Sequence, residues 1–341
     1  MISYVSNAVF VRVKAMYSRR LRENQLFRLS LSKNLNEVIE HLNKTDYSPV
    51  FSSLVGKEIH RETLELLLRE KLFQDLDVLS HYDASLGEHF YKYVLTKFEI
   101  YNIGIFLVFL KANIAKDFVS KVPTFIEKNT KIDFKSLNSV ITRSDFLKLI
   151  QRSDYLKILE PIINSEGELD LNKIGVALHR HLEEVLLRIS KKYFDKKEKT
   201  IFLNSFRSYI DTSNFVKIFR LRKYFNSDDE YIRSLLLPDG NLTLRKLNEL
   251  ITSKDIDSLV ECAKKIKWVA KLIKKGVERF DEIPSLIRLD WAKWCMKFSR
   301  STEVMILAYI ILKEAEIKKI IKIIENVRYG VFSSKPDVEK R

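Results

Sequence analysis

Apolar residues recur along this chain at spacings of three, four and seven, which is the signature of one buried helix face. Leu64, Leu67, Leu68 and Leu72 make one such stripe. Leu178, Leu182, Val185, Leu186 and Ile189 make a second. Ile317, Ile320, Ile321 and Ile324 make a third, with Lys318, Lys322 and Glu325 turned the other way. No comparable stretch alternates with period two, so the pattern predicts an all-α fold. Start and stop signals cut the chain into many short helices. Ser227 with Glu230 reads as a capping box that opens a helix. Leu237-Pro238-Asp239-Gly240 reads as a turn, with proline fixing one dihedral and glycine free to take a positive φ. Pro49, Pro123, Pro161 and Pro284 mark further breaks. The polar stretch Ser333 to Arg341 is expected to fray.

A longer period overlies the helical one. An asparagine followed by an apolar run occurs at Asn7-Ala8-Val9-Phe10, at Asn102-Ile103 and at Asn214-Phe215-Val216, roughly a hundred residues apart each time. A fainter start lies at Glu316-Ile317-Lys318-Lys319-Ile320. Basic residues follow the starts: Arg12 and Lys14, then Lys111, then Lys217, Arg220, Arg222 and Lys223. The pattern predicts a repeated helical unit.

Composition agrees with helix throughout. Among 341 residues there are only 8 glycines and 6 prolines, while 31% are charged, which suits solvated outer helix faces. The net charge of +15 is spread along the chain. It reads either as a lysine-rich solvated surface or as a surface for an acidic partner, a nucleic acid or an anionic membrane. Two cysteines, Cys262 and Cys295, give no disulfide framework and suit a reducing compartment. The first residues lack the apolar core of a secretory signal, since Arg12, Lys14, Arg19 and Arg20 interrupt them. The longest uncharged apolar runs, Ile103 to Leu110 and Val304 to Leu312, fall short of the ~20 residues of a spanning helix.

The search for chemistry is mostly negative. There is no glycine-rich phosphate loop. His179 and His181 stand two apart, which on a helix points them to different faces and does not favour a shared metal. Asp228, Asp229 and Glu230 sit where a helix N-terminus attracts anions. Cys295, between Trp294 and Met296, reads as a core thiol. The segment Cys262 to Lys275 carries Lys264, Lys265, Lys267, Lys271, Lys274 and Lys275 around Ile266, Trp268, Leu272 and Ile273. It reads either as an amphipathic helix with a lysine-covered outer face or as a phosphate- or lipid-headgroup-binding helix.

Several stretches resemble a known family. Tyr4 through Met16 resembles the opening helix of the C subunit of archaeal and bacterial V-type (A-type) ATPases, a relative of the d subunit of the eukaryotic vacuolar enzyme. Leu35 to Leu42 followed by Thr45-Asp46-Tyr47 is similar to the family's next segment. Asp211 to Lys223 and Leu237-Pro238-Asp239-Gly240 fit its third unit. Leu307-Ala308-Tyr309-Ile310-Ile311-Leu312-Lys313-Glu314, then Glu316-Ile317 and Glu325-Asn326-Val327-Arg328-Tyr329-Gly330, resembles its closing stretch. The second unit departs from the pattern, with Gly104, Phe106 and Val108 where relatives tend to carry polar residues, and Asn326 replaces a glycine.

The resemblance implies three similar helical domains around a pseudo-threefold axis, forming a funnel: 1–98, closed by a C-terminal helix 301–332, then 99–210 and 211–300, with a flexible tail 333–341. It implies a non-catalytic part of the central stalk, without cofactor or metal, on the cytoplasmic side of the membrane. Such a part couples the shaft formed by the D and F subunits to the membrane rotor ring and transmits torque for proton or sodium transport. Arg12, Lys14, Lys217, Arg220, Arg222 and Lys223 are the candidate partner contacts. The alternatives from other classes are a helical nucleic-acid-binding protein using its basic surface and a lipid-surface scaffold using the Cys262 to Lys275 helix.

Overall fold

The computed structural model describes residues 2–52, 61–82, 84–118, 126, 129–253, 255–266 and 282–330. Those residues are all-helical, with no strand among them. They fall into two compact units, one built from 1–94 with 292–341 and the other from 95–291. Most of the lysine-rich stretch, from Lys267 to Lys275, and the tail 333–341 lie outside the described residues.

In the first unit, α1 (Ile2–Ser18), α2 (Glu23–Ser30), α3 (Leu35–Leu42), α4 (Ser48–Phe51) and α5 (Arg61–Ser80) precede α6 (Ala84–Lys111), which runs on into the second. The second unit continues with α7 (Arg143–Leu149), α8 (Tyr155–Ile163), α9 (Leu171–Tyr193), α10 (Lys196–Phe225), α11 (Asp229–Ser234), α12 (Leu244–Ile251) and α13 (Ile256–Lys264). The chain leaves it along α14 (Ile283–Phe298) and ends in the first unit with α15 (Thr302–Arg328).

α15 is the axis of the first unit and packs on α1, α2, α3 and α5. The reason is in its sequence. Val304 through Ile311 carries no charge and no strongly polar side chain, so every face of those two turns is apolar, and a helix apolar all round must be surrounded. All eight residues are buried. Its second half returns to a stripe: Ile317, Ile320 and Ile324 are buried while Lys318 and Lys322 are exposed. Ser301 caps its first turn by accepting from the Val304 N–H.

Two distinct apolar cores stand out among the described residues of the second unit. One gathers Ile103, Phe106, Leu107 and Leu110 of α6 with Phe134, Leu137, Phe146, Leu159, Ile163 and Leu178. The other gathers Phe215, Ile218 and Leu221 of α10 with Ile232, Leu250, Ile251 and Leu259. The stripe on α9 is buried at all five predicted positions.

Several local expectations are corrected. Ser227 does not cap α11; Asp228 does, by accepting from the Tyr231 N–H at 2.7 Å. A carboxylate serves there better than a hydroxyl because it also meets the helix dipole. In the turn 237–240 the left-handed residue is Asp239 (φ 68°), not the glycine. Gly240 is needed for space, since a Cβ there would collide with the Asp211 carboxylate. Pro161 does not break α8 but sits inside its last turns. Pro49 and Pro284 fall in the first turns of α4 and α14, where the missing N–H costs nothing. Pro123 lies outside the described residues. The three repeat asparagines stand inside α1, α6 and α10, not at helix starts. Finally, Glu88–Lys111 is long and apolar enough to cross a membrane by length and composition alone, and 56% of that window is buried inside the protein.

Candidate functional site

The motifs that stood out in sequence meet in space. Asp46 and Tyr47, from the loop after α3, and Tyr309, Lys313 and Glu316, from α15, share one polar cluster with Lys71 and Asp75 of α5. Lys71 Nζ lies 3.0 Å from Asp46 Oδ2 and 2.5 Å from Asp75 Oδ1. The Tyr309 hydroxyl donates to Asp75 Oδ2 at 2.5 Å. The Tyr47 hydroxyl donates to Glu316 Oε1 at 2.7 Å, and Lys313 Nζ reaches the same oxygen at 2.9 Å. The Leu21 N–H fills Glu316 Oε2 at 2.8 Å. Lys313 also stacks on the Tyr47 ring, 4.0 Å from its centroid.

The charges balance. Asp46, Asp75 and Glu316 face Lys71 and Lys313, and at the rim Arg19 Nη1 lies 3.6 Å from Asp46. Burial and the neighbouring carboxylates push both phenols well above their ordinary value, Glu316 acting on Tyr47 and Asp75 on Tyr309. Both therefore remain donors. Lys71, Asp75, Lys313 and Glu316 are all buried. The cluster is a framework joint, holding the last helix to segments far away in sequence.

Two joints in the second unit follow a common plan. Glu99, three residues before Asn102, accepts from the Thr130 hydroxyl at 2.6 Å and from the Tyr155 hydroxyl at 2.8 Å. Asp211, three residues before Asn214, accepts from the N–H groups of Asn241 and Leu242 at 3.0 Å. Asn214 completes that second clasp by exchanging two hydrogen bonds of 2.8 Å with the Leu237 backbone. Burial pushes the Asp211 carboxyl up, and the two backbone donors partly offset it. Both long helices then end on a left-handed asparagine, Asn113 (φ 59°) and Asn226 (φ 44°), a conformation that asparagine tolerates better than most residues.

The two histidines do not meet. His179 Nε2 lies 2.7 Å from the Tyr209 hydroxyl and 3.1 Å from Glu183, while His181 packs edge-on to Tyr155. Burial pushes the Glu183 carboxyl up, but Arg288, His179 and Lys97 outweigh it and hold it below the usual carboxylate range. Among the described residues no group of three histidine, cysteine or acidic side chains is placed to hold a metal. Cys295 is a buried thiol, as its flanks suggested, although Trp294 beside it is exposed.

The six basic candidates divide by what their head groups do. Lys14 donates to the Met296 carbonyl. Lys217 donates to the Leu235 carbonyl at 2.6 Å. Arg222 clamps the end of α10, reaching the Ser227 carbonyl at 2.8 Å as well as Asp229 and the Ile251 carbonyl. Arg12 has a buried Nε with no hydrogen-bond partner among the described residues. Arg220 and Lys223 are exposed. Lys223 lies over Phe219 and Tyr224, 5.4 and 5.3 Å from their centroids. Beside it Tyr224 and Phe225 are 65% and 67% exposed, a large apolar area left open at a helix end. Sequence reasoning missed these two aromatics: Phe225 stands seven residues after Ile218 and four after Leu221, on the same helix face, so spacing alone reads it as buried.

Burial lowers the Lys217 ammonium from 10.5 to about 8. The unfolded chain thus holds that proton more tightly than the folded one, and the group costs stability below about pH 8. The cost is relieved as the pH rises from there toward 10.5. In denaturant melts the natural chain should gain stability relative to Lys217→Met across that interval. A constant gap would show that the ammonium is solvated.

The described polar residues hold a helical framework together, and comparisons with known proteins give the family to which that framework belongs. Residues 9–336 match the model of the ATP synthase (C/AC39) subunit family, and the chain belongs to that family. It is similar to the A-type ATP synthase C subunit of Thermococcus kodakarensis, 23% identical over 339 residues, covering 96% of this chain and 87% of that one. The C subunit of Pyrococcus horikoshii is 23% identical over 317 residues, covering 91% and 83%. That of Pyrococcus furiosus is 24% identical over 323 residues, with the same coverage. Members of this kind are accessory parts of the synthase, not its catalytic ones.

Proposed function

We propose that this protein is the non-catalytic central-stalk component of a V/A-type rotary ATPase. It joins the shaft of the D and F subunits to the membrane rotor ring, on the cytoplasmic face, and transmits torque for proton or sodium transport. The observation that carries the reading is that the family-like motifs build internal joints. Tyr309, Lys313 and Glu316 meet Asp46 and Tyr47, and Asp211 and Asn214 hold the turn 237–242. A part that passes torque between neighbours needs internal rigidity more than it needs a reactive group.

The proposal includes three similar units, 1–98, 99–210 and 211–300, with 301–332 closing the first. Two features support it. The described residues of the second compact unit include two distinct cores. The pattern Leu-Asn-x-(Val or Leu)-Ile also occurs three times, at Leu35 to Ile39, Leu137 to Ile141 and Leu247 to Ile251.

For the shaft contact we assign the exposed end of α10, with Arg220 and Lys223 supplying charge and Tyr224 and Phe225 supplying apolar anchors. Arg12 offers a guanidinium in the first unit. Lys14, Lys217 and Arg222 shape the surface through their internal bonds. Aromatic anchors with a polar rim are the usual carriers of interface energy. Reconstitution with purified D–F shaft and rotor ring tests the reading. The combined variant Arg220→Glu, Lys223→Glu, Tyr224→Ala and Phe225→Ala should lose D–F affinity by about a hundredfold, at ~1–2 kcal/mol for each anchor. Unchanged affinity would remove this surface from the contact. No complex with either D–F or the ring would overturn the function itself.

A further inference from the structure

The tight connection between α1 and α2 makes a basic pocket that shares only Arg19 with the joint around Asp46. It is an open cleft of about 440 Å³, lined by Ser18, Arg19, Arg20, Arg22, Asn24, Gln25 and Arg28. That volume falls within the ~300–1,000 Å³ of clefts that take small ligands. Four arginines line it and no acidic residue does. The nearest acid on α2, Glu23, is paired with Lys319 Nζ at 3.2 Å.

The four arginines are not equally committed. Arg20 stacks on Tyr17, 4.1 Å from the ring centroid, and donates to its carbonyl at 3.1 Å. Arg19 leans on Asp46 at 3.6 Å. The guanidiniums of Arg22 and Arg28 make no hydrogen bond or ion pair among the described residues. Like charges gathered this closely repel, and no described acid compensates these two. Gln25 Oε1 accepts from the Arg22 N–H at 2.9 Å, which leaves its amide NH2 as a further donor. Ser18 and Asn24 add uncharged polar groups.

We propose that this pocket is a binding site for a ligand carrying two adjacent phosphate groups. A guanidinium presents a planar fork of N–H donors that matches phosphate oxygens bidentately. A single carboxylate would neutralise one of the four positive charges. A diphosphate neutralises most of them in one compact group and has enough oxygens to engage several forks together. Such a group can arrive on a soluble phosphate compound or on an anionic phospholipid headgroup, and the pocket recognises the chemistry they share.

The test is titration calorimetry of the full chain with inorganic pyrophosphate at about 0.15 M salt, where long-range surface attraction is screened. Saturable binding is expected. Arg22→Gln with Arg28→Gln should weaken it by about a hundredfold, on the order of tenfold for each charge-assisted contact. Because neither guanidinium carries an internal bond and both add to the repulsion, the melting temperature should not fall. Arg28→Gln alone gives the same readout at about tenfold. Vesicles of cardiolipin, whose headgroup carries two phosphates, that displace pyrophosphate would support the site and name lipid as its source. Failure of the vesicles to displace it would support the site with a soluble ligand. No pyrophosphate binding by the natural chain, equal binding by the double variant, or equal affinity for short poly-glutamate would overturn the proposal.

Discussion

Replacing Lys71 by methionine is expected to destabilise the first unit by about 3–5 kcal/mol, the usual cost of removing one partner from a buried ion pair. Lys71 stands 3.0 Å from Asp46 and 2.5 Å from Asp75, and all three side chains are at most 10% exposed. Without it, the two carboxylates share a site from which water is excluded. Tyr309 still donates to Asp75, and Lys313 still lies 3.9 Å from Asp46. Neither replaces a full charge in contact. Urea unfolding followed by tryptophan fluorescence checks the size of the loss. A loss below about 1 kcal/mol, the value of an exposed pair, would mean that the cluster is wetter than its geometry indicates. The companion variant Lys71→Met with Asp75→Leu should recover part of the loss, since removing both charges also removes the desolvation cost.

Replacing Phe106 by alanine is expected to cost about 3–5 kcal/mol, through lost transfer energy and an unfilled cavity. Phe106 is fully buried, stacks on Phe146 with centroids 5.5 Å apart, and meets Phe118 edge-on at 5.3 Å. The damage should be local. Its core runs from Ile103 to Leu178, whereas the neighbouring core runs from Phe215 to Ile266. Amide hydrogen exchange on the variant should show protection falling over the first range while the second keeps its own. Equal loss in both would show that the two cores open as one cooperative body.

Phe106 also illustrates what the sequence could and could not say. Beside Gly104 and Val108 it looked like a departure from the family's more polar pattern. In the fold Phe106 is core, Val108 is half exposed and Gly104 has open space about it. A helix that serves a core on one side and solvent on the other cannot be read residue by residue from composition. The same limit applied to the basic candidates. Arg222 and Lys223 are adjacent in sequence and equally charged, yet one clamps a helix end while the other lies on the surface over two aromatic rings.

The sequence by itself determined the helical class, the buried stripes of α9 and α15, and the membership suggested by its closing motif. These depend on contacts within a few turns, where side-chain spacing is enough. Only the tertiary structure decided that Asp46 and Tyr47 belong with Tyr309, Lys313 and Glu316. It likewise decided that Asp211 is a clasp needing Gly240, and that Tyr224 and Phe225 stay uncovered. The local pairs Lys71–Asp75 and Lys313–Glu316 can be buried together because distant segments add further counter-charges and donors. An aromatic stays exposed only where no distant segment arrives to cover it. Both depend on chain positions that local periodicity does not record.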